Sequence, residues 1–216
     1  MNDTIRRLTG FTVATAASAA VLTLGGVPSQ QASPPADFGI AAPGAASAGP
    51  TVADASRSDP PPRTARQEPP PQRILIRDVG LDARVRPVGV TEQGAMTVPA
   101  DPTVSGWYRF GPAPGSSRGS AVLAGHVDSE TGALGEFAAL DDVRPGDTVD
   151  VRRDGAEPAV YRVVARTSVP KDDLPPSAFR RTGPPVLTLI TCAPPFVPEK
   201  GGYLANLVVT AEPLRQ

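Results

Sequence analysis

Val186-Leu-Thr-Leu-Ile190-Thr191-Cys192-Ala193-Pro194-Pro195 is an apolar, β-branched run that ends on the only cysteine of the chain. A run of this kind, short and closed by turn residues, reads as a buried strand. A second stretch has the same form. Ser120-Ala-Val-Leu-Ala-Gly125-His126-Val127-Asp128 passes from an apolar strand through glycine to the only histidine. A buried strand delivers its last residue to the sheet edge, where loops begin and sites gather. Both singular residues therefore stand at strand ends, where side chains meet above a rigid sheet.

Outward from these two stretches, short β-type runs separated by Gly/Pro turns fill residues 73–216. Strands are expected at 73–76, 83–88, 121–125, 148–152, 159–167, 186–191 and 207–211. Residues 100–102 and 112–119 read as loops, and Pro145-Gly146-Asp147 as a turn feeding a strand. Helical signals are sparse: a turn near 103–104 and a short helix at 135–140. Many short strands without long helices point to an all-β (mainly β) fold, a small barrel or sandwich of about 140 residues.

The N-terminal third is different. Arg6 and Arg7 precede a mildly apolar stretch, 8–27, so residues 1–27 read as an export signal or an N-terminal membrane anchor. Small residues at 16–20 leave cleavage open. Either outcome places the rest of the chain outside the cytoplasm: at the extracellular face of the membrane if anchored, secreted if cleaved. Residues 28–72 are dominated by Pro, Ala, Ser, Gly and Gln, with proline triplets at 60–62 and 69–71. Such a segment buries too little apolar surface to offset its ordering entropy, so a disordered, polyproline-rich linker is expected.

Composition removes several function classes. Net charge is −1 and 20% of residues are charged, which gives no field for nucleic acid. One cysteine excludes an internal disulfide and multi-cysteine zinc or iron–sulfur sites. Dithiol redox chemistry fails on the same count. No cofactor and no metal are expected. Two readings of Cys192 stay open at this point: a small buried hydrophobe, or a reactive thiol. Cysteine attacks acyl groups as thiolate, and a free pKa of roughly 8.5 leaves little thiolate at neutral pH. An adjacent imidazole accepts the proton, stabilises the thiolate as imidazolium, and later protonates a leaving amine. Cys192 with His126 is thus a minimal acyl-transfer pair.

Gly125-His126-Val127-Asp128 together with Leu189-Ile190-Thr191-Cys192 resembles the sortases, most closely the class F, actinobacterial type. Pro87-Val88-Gly89-Val90, Gly106-Trp107-Tyr108, Arg144-Pro145-Gly146-Asp147, Val169-Pro170-Lys171-Asp172 and Tyr203-Leu204-Ala205-Asn206-Leu207-Val208-Val209 resemble the same class, in the same order. The resemblance spans about residues 73–212. It implies an eight-stranded β-barrel and a cysteine transpeptidase. Such an enzyme cleaves a Leu-Pro-x-Thr-Gly (LPxTG) sorting signal between Thr and Gly. It holds the Thr as a thioester on Cys192 and passes it to a cell-wall peptidoglycan precursor amine. The implied partners are secreted proteins that carry such signals, that cell-wall amine, and the membrane through the N-terminal segment.

The chain departs from the family in one respect. The arginine that sortases carry near the last strand has no counterpart between Cys192 and Val209, and Leu204 stands after Tyr203. Lys200 offers charge without the planar two-pronged donor, and Asn206 offers a neutral donor. Arg109, Arg180 and Arg181 are guanidinium candidates from other loops. Asp128 is read as orienting His126 or capping the following turn, with capping preferred. Trp107 is read as a core or lid residue. The absent arginine also supports an alternative function: a catalytically weak domain that binds sorting signals or serves as a surface scaffold.

Overall fold

The computed structural model describes residues 36–39 and 68–214. The expected export segment, 1–27, and most of the expected linker lie outside the described residues. Among the described residues no helix is long and apolar enough to cross a membrane.

Eight strands form one closed barrel: β1 (Pro71–Ile76), β2 (Leu81–Val88), β3 (Val104–Tyr108), β4 (Ser120–Ala124), β5 (Thr148–Arg153), β6 (Ala156–Pro170), β7 (Val186–Val197) and β8 (Gly202–Pro213). Around the barrel the order is β1-β2-β3-β4-β7-β8-β6-β5. Closure removes sheet edges, and the strand period of two sorts side chains into an inside and an outside set. Ile74, Ile76, Leu81, Ala83, Val85, Leu123, Val149, Val151, Leu187, Leu189, Leu207 and Val209 fill the interior. Each alternates with residues that face outward, as the pleat requires.

The expected strands are present, with longer reach for three of them. β6, β7 and β8 extend to 15, 12 and 12 residues, because the long β7–β8 hairpin and β6 continue past the barrel rim. β3 is the strand that periodicity did not disclose. Val-Ser-Gly-Trp-Tyr lacks alternation, and it becomes a strand by parallel pairing with β2 and antiparallel pairing with β4. The helix expected at 135–140 is a 3-10 helix, Glu136–Asp142. Phe137 and Leu140 anchor it in the core. Trp107 belongs to the core, and its indole N–H donates to the Pro112 carbonyl at 3.1 Å.

Inside the stretch expected to be linker, β1 begins at Pro71, and residues 36–39 lie against β6. Phe38 forms an isolated antiparallel bridge with Arg166.

Candidate active site

β4 and β7 are neighbours in the barrel and run parallel. Their register pairs Ser120 with Val186 and, four steps on, Ala124 with Ile190. The Gly125 N–H then donates to the Ile190 carbonyl at 3.1 Å, which carries the ladder to the step below His126. His126 and Cys192 each stand two residues past the Ala124–Ile190 pair. Both residues are half-buried.

Parity decides which way they face. Ala121, Leu123, Leu187 and Leu189 point into the barrel. Val122, Ala124 and Ile190 form a separate outer cluster. Cys192, within β7, shares the even parity and so continues the outer set, while His126 follows two residues beyond the end of β4. The thiol therefore faces away from the core and is only half-buried, and the reading of Cys192 as core packing does not hold.

That outer cluster is an apolar floor leading up to the two residues. Met96 and Val98, from the β2–β3 connection, pack on it from one side. Leu174 and Phe179, from the β6–β7 connection, and Tyr108 complete the walls. Tyr108 meets Phe179 edge to face, with ring centroids 5.3 Å apart.

Glycine is required where the His126 loop leaves β4. A Cβ on Gly125 would lie 2.6 Å from the Phe137 ring. The bare backbone lets the 3-10 helix tuck directly under the histidine. The loop then turns back, with the Gly135 N–H donating to the Val127 carbonyl at 2.9 Å.

β8 flanks Cys192 on the side away from β4. Asn206 is the register partner of Cys192 and shares its outward parity, as does Leu204. Directly opposed residues of an antiparallel pair have Cβ atoms about 4.5–5.5 Å apart. The structure thus brings Asn206 beside the thiol. Lys200 is not brought there: it is exposed in the hairpin turn Pro198–Lys200, beyond the Val197–Gly202 pair. The three arginines proposed from other loops are also elsewhere. The Arg180 carbonyl accepts from the Ser120 N–H at the opposite end of β4, and its guanidinium donates to the Thr182 and Pro184 carbonyls. Arg181 adjoins Gly119 at that same end. Arg109 follows β3 toward that end and covers the Phe110 ring at 4.8 Å.

Asp128 has a partner that sequence reasoning missed. Its carboxylate accepts from the Tyr203 hydroxyl at 2.6 Å. Capping of the following turn falls instead to Ser129, whose hydroxyl accepts from the Ala133 N–H at 3.1 Å. β7 lies between β4 and β8, so a bond from the loop after β4 to β8 crosses the end of β7 just past Cys192. Tyr203 also stacks edge to face with Phe196, at 4.9 Å. Its hydroxyl pKa is pushed up to about 12, chiefly by the bond to Asp128, then by burial, the Asp128 charge and the Cys192 thiolate. The hydroxyl is therefore a donor throughout the physiological range. Stability from this bond is complete below about pH 10, the unfolded value, and is lost as pH rises through about 12. Tyr203→Phe is expected to lower stability by about 1 kcal/mol at pH 7. The deficit relative to the parent should shrink in thermal melts run above pH 10. An equal deficit at every pH would show that the bond contributes nothing.

Among the described residues no cluster of three or more His, Cys, Asp or Glu is placed to hold a metal ion. What the arrangement offers is a half-buried thiol, an imidazole just past the end of the neighbouring strand, a neutral amide on the other side and a buried apolar cluster beneath. That set suits acyl transfer from a peptide.

A sortase-domain family model matches residues 74–214. No curated protein matches the chain. Among solved structures, the chain is similar to sortase C-1 from Actinomyces oris, with 22% identity, 67% of this chain and 73% of that chain covered, and a TM-score of 0.51. It is similar to sortase C1 from Streptococcus agalactiae, with 23% identity, 67% of each chain covered and a TM-score of 0.52. It is also similar to sortase A from Corynebacterium diphtheriae, with 23% identity, 70% and 64% covered and a TM-score of 0.50. At these identities the likeness concerns the fold. The class F resemblance rests on the sequence motifs.

Proposed function

Since the chain belongs to the sortase family of cysteine transpeptidases, we propose that Cys192 is its nucleophile and His126 its acid/base group, acting on LPxTG-like sorting signals. The observation that supports this reading is that the chain's one imidazole follows β4 by two residues and its one thiol lies in β7, two residues past the last β4–β7 pair of a parallel register.

The steps follow from the groups present. His126 takes the thiol proton, and the thiolate attacks the carbonyl carbon of the Thr–Gly peptide bond. The tetrahedral oxyanion collapses, breaking the C–N bond, and His126 gives its proton to the departing glycine amine. The Thr acyl group stays on Cys192 as a thioester. An incoming amine attacks it, His126 accepts the amine's proton, and the thiol is regenerated. Water in place of the amine yields the free acid.

Of the three residues after Cys192, Ala193 alone has a backbone N–H, because Pro194 and Pro195 have none. That N–H faces β8 in the ladder, where Ala193 is paired with Ala205, so the Asn206 amide is the oxyanion donor in this reading. Neutral donors stabilise an oxyanion less than a guanidinium does. Met96, Val98, Leu174 and Phe179, which cover the buried Val122, Ala124 and Ile190, offer the apolar surface for the Leu-Pro part of the signal in this reading. The remaining features are consistent with residues 1–27 holding the domain at the outer face of the membrane, where exported substrates and cell-wall amines meet.

The test incubates the full chain with a panel of Leu-Pro-x-Thr-Gly peptides and a glycyl amine. A product joining the peptide's Thr to the amine is expected, with the free acid when the amine is left out. Intact peptides throughout the panel would refute the reading. A second reading, a weak domain that binds signals without transferring them, is favoured by Leu204 and Asn206 on the face beside Cys192 where the family places arginine. Peptide binding without any product would select it.

A further inference from the structure

β6 pairs with β5 from Ala156 to Arg162 and with β8 from Tyr161 to Pro170. The β5 pairing ends at Arg162, opposite Thr148, and backbone bonds from Val163 to Gly146 and Asp147 close it. From there to Pro170, β6 has β8 on one side only. An uncovered stretch of this kind presents unpaired N–H and C=O groups and is a template for an added strand.

Residues 36–39, Ala-Asp-Phe-Gly, lie on that stretch, and each makes a distinct contact. The Phe38 N–H donates to the Arg166 carbonyl at 3.0 Å, and the Arg166 N–H to the Phe38 carbonyl at 2.9 Å. The Asp37 carboxylate accepts from the Ser168 N–H at 3.0 Å. The Ala36 carbonyl accepts from the Arg166 guanidinium at 2.9 Å. The Phe38 ring packs against the core cluster and under that guanidinium, 5.2 Å away. Gly39 has a φ of +74°, and a Cβ there would strike the Val164 carbonyl and Ala165.

Arg166 is the other half of the contact. It is 3% exposed, and its guanidinium is held by carbonyl oxygens of Ala36, Asp141 and Val143 rather than by a carboxylate. Its Nε finds no partner among the described residues. A buried cation satisfied by carbonyls is strongly disfavoured when any of them is withdrawn. Filling this position with a peptide carbonyl and an aromatic face therefore stabilises the site as well as the segment.

We infer that the free stretch of β6 is a strand-addition site for an extended Asp-aromatic-Gly segment, and that the chain fills it in cis with residues 36–39. The N-terminal extension is then fixed to the barrel at Gly39 as well as at β1. What leads away toward the N-terminus is residues 1–35 instead of 1–70. At about 3.3–3.6 Å per residue this shortens the maximal contour by roughly 120 Å. The clasp is small, and a connection of the length of residues 40–67 supplies about a millimolar effective concentration. It opens and closes, giving a short and a long leash. The consequence for reach rests on the tethered reading above; the clasp does not.

The test is hydrogen exchange on the full chain, followed by NMR. Successive N–H groups of a strand point to opposite sides. Arg166 and Ser168 therefore report on the clasp, and Thr167, which faces β8, is an internal control. Gly39→Val is expected to raise exchange at Arg166 and Ser168 about tenfold or more while Thr167 is unchanged, and Phe38→Ala and Asp37→Ala to act likewise if the valine variant misfolds. The inference is overturned if Arg166 and Ser168 exchange alike in parent and variants, or if Thr167 rises with them. Protection that grows with protein concentration would also overturn it, since the occupant would then be a second copy. None of these readouts depends on catalysis or on a membrane, so failure of the clasp and failure of the proposed activity are separable.

Discussion

Replacing Cys192 by alanine is expected to abolish both transfer and hydrolysis of a sorting peptide while leaving the fold almost untouched. No other thiol exists in the chain, so no residue takes over the nucleophile's task. The side chain is half-buried and faces outward in parity with Val122, Ala124 and Ile190. Removing one sulfur from such a position costs about 1 kcal/mol or less. For a domain of this size that is a shift of about 2–4 °C in Tm. A loss of activity with a fall in Tm of more than about 10 °C would assign the thiol to packing instead.

His126→Ala is expected to have the second largest effect. Without the imidazole nothing accepts the thiol proton, and the departing amine has no proton donor. General acid–base assistance is worth about 10²–10⁴-fold, and thiolate formation adds to it. A thiol-reactive peptide should label Cys192 in the parent and fail to label the variant within the same time. The His126 loop is held by the Gly135–Val127 bond, by Phe137 under Gly125 and by Tyr203–Asp128. None of these involves the imidazole, so the variant should melt close to the parent. Undiminished labelling would mean that the two residues do not act on one another.

The candidate pair was legible because its signal is local and doubled. Two apolar runs each lead to the chain's single copy of a reactive residue, and a buried strand leaves few places for its last side chain to go. That the two runs are parallel neighbours was not legible, since it depends on the β4–β7 register, which no local pattern encodes. β3 was hidden for a related reason. Gly106 and Ser105 break the alternation, and the strand exists because β2 and β4 hold its two sides. Asn206 and Lys200 could not be separated by spacing along the chain. The register separates them, because Asn206 pairs with Cys192 while Lys200 sits in the turn beyond.

The contacts that sequence reasoning missed are long-range and polar. Tyr203 and Asp128 are 75 positions apart, and nothing near either announces the other. The 36–39 segment is harder still. Its surroundings are proline, alanine and serine, which argue against a core of their own. What orders four residues there is Arg166, 130 positions from Ala36. Composition averaged over a window hides a short motif whose partner is supplied by a finished barrel.

The most direct test of the central claim is the intact mass of the full chain during reaction with a Leu-Pro-x-Thr-Gly peptide. The parent should gain the mass of the acyl fragment ending at Thr. The gain should map to the peptide containing Cys192, disappear on treatment with hydroxylamine, and be absent from the Cys192→Ala and His126→Ala variants. Cleavage of the peptide without a hydroxylamine-sensitive adduct, or an adduct of equal yield in the His126→Ala variant, would contradict the paired thiol and imidazole on which the account rests.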